Sequence, residues 1–165
     1  MKISTKGRYA LRLMLDLAIN HTGSYIPLKT VAQRQNISDK YLEQIIHQLS
    51  KAGFVQSARG AQGGYRLART PDEYTVGEIL RTVEGSLAPV SCLDCKTPCD
   101  QFDSCITIGL YKKIQQAIDG VVDHTTLHDM IRDYRAKLPQ AENVYKRAKH
   151  PHFIEKQQSI RRTII

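Results

Sequence analysis

The chain has no tryptophan, and all four of its cysteines fall in one stretch of its 165 residues, SCLDCKTPCDQFDSC at 91–105. The cysteine-free remainder excludes a disulfide-stapled scaffold. No run of about 18 apolar residues occurs, which excludes a membrane-spanning helix. The start, MKISTKGRYALRLMLDLAIN, is basic and then apolar, but Arg12 and Asp16 interrupt it and no small-residue cleavage site follows. It reads as a folded segment of a cytoplasmic protein, not a secretory leader. No nucleotide loop, flavin fingerprint or Ser/His/Asp constellation is present, which argues against an enzyme. Acidic residues are scarce in the first half: residues 1–69 hold 11 Lys/Arg against 3 Asp/Glu. Residues 70–140 reverse this, with 7 against 11, and 141–165 return to 6 against 2. A basic first half points to a polyanionic partner, with a merely solvated basic surface as the plainer alternative.

Length and an apolar fraction of 41% allow one domain with a modest core and an appended segment. Residues 3–20 are helical by period, with Tyr9, Leu11, Met14, Leu15, Leu17 and Ala18 on the apolar stripe and Lys6, Arg12 and Asp16 off it. A short second helix begins at Pro27, an allowed first-turn proline. Asn36-Ile37-Ser38 is a turn, and Ser38 caps a third helix whose inner face is Leu42, Ile45, Ile46 and Leu49, ended by Gly53. FVQSARGAQGGYRLAR at 54–69 reads as a hairpin with a glycine-rich tip. Thr75-Val76-Gly77-Glu78 is a capping box opening a short helix. Beyond the cysteines, Ile108, Tyr111, Ile114, Ala117, Ile118, Val121 and Val122 mark a long amphipathic helix, and Thr126-Leu127-His128-Asp129 opens another. The last 25 residues are polar, basic and weakly periodic, as expected of a flexible or loosely docked tail.

Three helices, a tight turn before the third and a glycine-tipped hairpin describe a winged helix-turn-helix. The expected fold class is therefore mainly α, with a two-stranded wing and a long C-terminal helix. The expected divisions are 1–75 for DNA binding, 76–138 for the cysteine loop and long helix, and 139–165 for a basic tail. The third helix turns Asp39, Lys40, Tyr41, Glu43, Gln44 and His47 away from its core face. Side chains of these types read base edges: Gln44 can pair with adenine and Glu43 can accept from cytosine. Arg59 at the hairpin turn suits a minor groove. Gly60, Gly63 and Gly64 allow close backbone approach to phosphates. Ser38 opens the recognition helix, and Lys2, Lys6, Arg8, Lys40, Arg66 and Arg69 are candidate phosphate contacts. A winged helix that binds protein instead of DNA is the competing interpretation.

The cysteine spacing is Cys-x2-Cys-x3-Cys-x5-Cys. Structural zinc favours two ligand pairs a dozen or more residues apart, so four thiols this compressed suit it poorly. Iron–sulfur clusters accept compact thiolate runs. A bare thiol/disulfide switch is the third possibility. His124 and His128 stand at i, i+4 and could bind a metal, though such a pair is more often exposed polar surface.

MKISTKGRYALRLMLDLA, ISDKYLEQIIHQLSKAGFVQSARGAQGGYRLAR, TVGEIL, and CIT before an aromatic-bearing helix together resemble the family of IscR, NsrR and CymR, bacterial winged-helix transcription regulators. The resemblance covers about residues 1–135 and leaves out the tail. It implies a homodimer on a pseudo-palindromic double-stranded DNA operator. It also implies that Tyr41, Glu43, Gln44 and Arg59 face DNA, and that the helix near 106–122 forms the dimer interface. Cluster-binding relatives use three cysteines, matched here by Cys92, Cys99 and Cys105, with a first gap one residue longer than usual. The histidine that IscR places three residues past the last cysteine is Ile108 here, and the acidic ligand of NsrR is Arg8. Cys95 is the natural fourth ligand. The expected cofactor is an iron–sulfur cluster, 2Fe–2S on resemblance with 4Fe–4S as the alternative. An all-thiolate site adds negative charge and should lower the reduction potential. A CymR-like regulator tuned without a cluster is the rival, although that subfamily generally lacks these cysteines.

Overall fold

The first helix, α1 (Thr5–Ile19), starts on Ser4, whose hydroxyl accepts from the Lys6 and Gly7 amides at 3.0 and 3.3 Å. The structure is a computed structural model and describes residues 2–60, 62–94, 99 and 101–148, the last eleven by backbone alone. Ala10, Leu13, Met14 and Leu17 of α1 are sealed from solvent. The stripe is thus rotated from the expected one: Tyr9, Leu11 and Leu15 are half-buried and Asp16 is inside, only 4% exposed. Burying a carboxylate is tolerable because it is paired. Asp16 accepts from the Arg34 guanidinium, from Gln35 Nε2 at 2.8 Å and from Asn20 Nδ2 at 3.4 Å.

Arg34 and Gln35 belong to α2 (Leu28–Gln35), so this network fixes α2 against α1. Pro27 sits at the N-cap, one place before the first turn where the sequence suggested it. Asn36 ends α2 in the left-handed region at φ +54°, a conformation that asparagine tolerates. Next comes α3 (Asp39–Lys51), whose Leu42, Ile45, Ile46 and Leu49 enter the same core as α1. Truncating any one of these to alanine should cost about 2–5 kcal/mol.

Gly53 at φ +75° turns the chain from α3 into β1 (Val55–Ala58), which pairs antiparallel with β2 (Gly64–Leu67) in the register Val55 to Leu67 and Ala58 to Gly64. Ile26, ahead of α2, adds a bridge to Tyr65 through two 2.9 Å backbone hydrogen bonds. The wing is therefore held on a third short segment. A 3-10 turn at Pro71–Glu73 leads to Tyr74 and to α4 (Val76–Glu84), opened by the expected Thr75–Glu78 capping box.

Two helices come after the cysteine loop, α5 (Ile108–Val122) and α6 (Leu127–Ala148). Leu127 and Ile131 of α6, with Ile79 and Val83 of α4, complete the core of α1 to α3, across the boundary the sequence suggested after 75. The boundary suggested after 138 falls inside α6. By contrast α5 buries no side chain. No helix among the described residues is long and apolar enough to cross a membrane.

Candidate nucleic-acid interface and cysteine loop

On α3 the apolar face goes inward and leaves Lys40, Glu43, Gln44 and His47 in solvent. Ser38 occupies the N-cap and is exposed, but its hydroxyl makes no capping bond, so it is available to an outside acceptor. Tyr41 is half-buried, its ring edge-to-face with Tyr9 at 5.7 Å and 83°. This contact sets the start of α3 beside α1. Lys2 and Arg8 are exposed and Lys6 is half-exposed at the N-terminal end of α1. Arg8 donates to Thr5 Oγ1 at 3.1 Å, across a single helical turn.

Arg59 and Gly60 stand exposed at the wing tip, and the Gly63 amide donates to the Gly60 carbonyl at 2.9 Å. Gly60 takes φ +103° with open space around it. The other two glycines are shaped by the chain itself. A Cβ on Gly63 would strike the Ala58 carbonyl, and one on Gly64 the Ile26 backbone. Their bareness first serves the wing's own packing.

The two cations assigned to phosphates along β2 and beyond already have protein partners. Arg66 donates to Gln56 Oε1 at 2.9 and 3.0 Å and to the Gly23 carbonyl at 3.1 Å, over the Tyr25 ring. Arg69 lies 4.5 Å from the Tyr74 ring centroid and 3.9 Å from Glu78. Tyr74 itself, fully buried, was not singled out by sequence. Its hydroxyl donates to the Phe54 carbonyl at 2.7 Å and accepts from the Ala68 and Arg69 amides at 3.0 and 2.8 Å. It clasps both ends of the wing at their base.

The cysteines lie on the path from α4 to α5. Cys92 is half-buried in a 3-10 turn at Ser91–Leu93, Cys99 is exposed, and Cys105 is half-buried just ahead of α5. Cys95 lies outside the described residues. The Cys105 sulfur is 3.3 Å from Thr107 Oγ1, and that hydroxyl, with the Thr107 and Ile108 amides, holds the thiol below the usual cysteine range. The described thiols are free. Among the described residues no three His, Cys, Asp or Glu side chains gather closely enough to hold one metal ion, the His124–His128 pair included. His124 Nδ1 instead lies 3.1 Å from the Gly120 carbonyl. The donor set still fits a thiophilic metal or cluster in its chemistry: soft sulfur ligands in one loop, one of them biased toward thiolate.

The Rrf2 family model, described as "Iron-dependent Transcriptional regulator", matches residues 3–133. CymR of Bacillus subtilis (strain 168), an HTH-type transcriptional regulator, is 44% identical over 130 residues, 79% of this chain and 89% of that protein. The solved structure of B. subtilis CymR, titled the global cysteine regulator, superposes with TM-score 0.66 at 43% identity, covering 79% of this chain and 95% of that one. The structure of T. potens IscR gives TM-score 0.66 at 41% identity over 81% of this chain and 88% of that one.

Proposed function

This chain belongs to the Rrf2 family of transcriptional regulators, and we propose that within it the chain is a homodimeric operator-binding protein whose cysteine loop is the sensor. It is a winged-helix transcription regulator, not an enzyme. One observation carries the sensor reading: every thiol in the chain lies on the connection between α4, packed in the winged core, and α5, none of whose side chains is fully buried. A change in that connection repositions α5 relative to the core.

In the proposed complex α3 enters a major groove, with Gln44 and Glu43 at base edges and Tyr41 at its flank. Arg59 and Gly60 at the wing tip meet the neighbouring minor groove. Ser38, Lys40, Lys2, Lys6 and Arg8 contact phosphates, and Gly63 and Gly64 shape the wing that carries them in. The exposed apolar face of α5, with Leu110 58% and Val121 65% exposed and Ile106 just before it, is the proposed dimer seam. Two such subunits read half-sites about 34 Å apart, so a small change in α5 posture loses contacts on both sides.

Cys92, Cys95, Cys99 and Cys105 would hold an iron–sulfur cluster, 2Fe–2S or 4Fe–4S, whose gain and loss supplies a response to iron, oxygen or nitric oxide. The test is anaerobic purification, an absorption spectrum and iron, sulfide and zinc analysis, then gel-shift titration of loaded and stripped protein. Near-stoichiometric iron and sulfide, with operator affinities differing by at least about tenfold, is the expected result. A colourless protein with one zinc per chain, or equal affinities, sinks the cluster reading. The Cys105–Thr107 contact favours a second reading, a thiol switch, in which oxidation of the metal-free protein alters operator affinity.

A further inference from the structure

Two charged residues three apart on α4 reach in different directions. Arg81 turns to α5: its guanidinium donates to Asp119 at 2.5 Å and grips both oxygens of Asp123. Gln115, one turn back on α5, donates to the two Asp119 oxygens at 2.9 Å. Glu84 turns to α1. Its Oε1 accepts from the Ser4 hydroxyl at 2.6 Å, the Ser4 amide at 3.0 Å and the Gly7 amide at 2.9 Å. Two of these donors are amides at the start of a helix, where a carboxylate is favoured, and the third is the capping hydroxyl itself.

Each junction depends on a glycine. A Cβ on Gly77 would collide with the Asp123 carboxylate, and one on Gly7 with the Glu84 carboxylate. Between the junctions α4 is anchored by Ile79, Leu80 and Val83, all buried, so it moves as one body. No side chain of α5 is fully buried, although Val122 packs against Val76, Leu80 and Leu87, and the Arg81 clamp is its principal polar attachment to α4 among the described residues. What α5 does enters α4 at Arg81. What α4 does leaves at Glu84, on the turn of α1 that bears Lys6 and Arg8.

We propose that Arg81 and Glu84 are positioning residues of the DNA interface, with α4 a strut that carries the placement of α5 to the basic start of α1. This rests on the DNA-binding reading and deepens it by naming the route of regulation. Charge alone predicts the opposite sign for Glu84: a carboxylate near DNA repels phosphate, so neutralising it should tighten binding. A positioning role predicts weaker binding, because Lys2, Lys6 and Arg8 lose their fixed placement.

The experiment uses the full chain and a DNA fragment that the wild type selects from a random-sequence library. Glu84→Gln should bind that fragment about fivefold more weakly. Its salt slope, read between about 50 and 200 mM, should be shallower than wild type because fewer phosphate contacts persist. Glu84→Asp keeps the charge and shortens the reach, so it should weaken binding as well. In the DNA-free protein, Arg81→Met should speed hydrogen exchange of the Ser4 and Gly7 amides by about threefold, although Arg81 touches neither. Glu84 variants that bind as well as wild type or better, or unchanged exchange in Arg81→Met, overturn the strut. A wild-type chain that selects no DNA overturns instead the reading on which the strut rests.

Discussion

Tyr74 and Phe54 meet edge to face with ring centroids 5.7 Å apart, and the hydroxyl of the first donates to the carbonyl of the second at 2.7 Å. One side chain thereby joins the strand that leaves α3 to the segment that enters α4. Tyr74→Phe keeps the ring and strands the Arg69 amide, while the Phe54 carbonyl and the Ala68 amide lose the hydroxyl but keep their 3.1 Å bond to each other. The expected loss is about 1–3 kcal/mol in urea unfolding, with the slope of the transition unchanged.

Asp16 offers a second, larger effect. Replacing it by alanine removes the acceptor shared by Arg34, Gln35 and Asn20 and leaves a guanidinium facing the core edge. Loss of one partner from a mostly buried pair should cost roughly 2–4 kcal/mol. Arg34→Ala should cost less, since Arg34 is itself partly exposed. Chemical denaturation of the two variants and of the double variant measures the coupling.

Acid should loosen α5 before it unfolds the core. Hydrogen bonding to Arg81 holds the Asp123 carboxyl below its ordinary range. A carboxylate with a depressed folded-state pKa stabilises the fold above its unfolded value and loses that contribution as pH falls through the folded one. Melting temperature tracked from pH 7 to about 3 should therefore fall less steeply in Asp123→Asn than in wild type. Some acid sensitivity should remain, because Thr70 and Thr126 depress Glu73 and Asp129 in the same way.

In the metal-free protein Cys105 should be a fast thiol. With Thr107 favouring its thiolate, it should alkylate with iodoacetamide near neutral pH faster than an unperturbed cysteine does. Thr107→Val removes the hydroxyl and should slow Cys105 severalfold. Equal rates for the two proteins, measured by mass spectrometry of the modified site, would show that the hydrogen bond has no chemical consequence.

Base reading and phosphate holding should separate on DNA. Gln44→Ala should cost about 1–3 kcal/mol at one base position and relax preference there. Lys40→Ala should weaken binding to all sequences alike and lower the salt slope by about one. Binding-site selection by both variants at fixed salt distinguishes the two. A Gln44→Ala preference identical to wild type would remove Gln44 from the readout.

Local signals were legible and remote pairings were not. The period of Leu42, Ile45, Ile46 and Leu49 marked α3, and Thr75 with Glu78 marked the start of α4, because each pattern closes within one or two helical turns. Asp16 looked like a surface residue because Arg34 and Gln35, its partners on another helix, stand 18 and 19 positions away. Glu84 and Ser4 are separated by 80 residues, and Arg81 and Asp123 by 42. No window along the chain relates them. Arg66 and Arg69 were assigned to phosphates from charge alone, whereas Tyr25, Phe54 and Tyr74 sit beneath their guanidinium groups. The exposed face of α3, with Lys40, Glu43, Gln44 and His47, was legible as a set, because the apolar residues of that helix all turn to the core.

Gly7 and Gly77 reverse a common recipe for making proteins more robust. Both lie within helices, where exchanging glycine for alanine ordinarily gains about 0.4–1 kcal/mol. Here the added methyl would land on the carboxylate of Glu84 or of Asp123. An engineer who obeyed helix propensity at these two positions would gain better helices by displacing the carboxylates that join α4 to α1 and to α5.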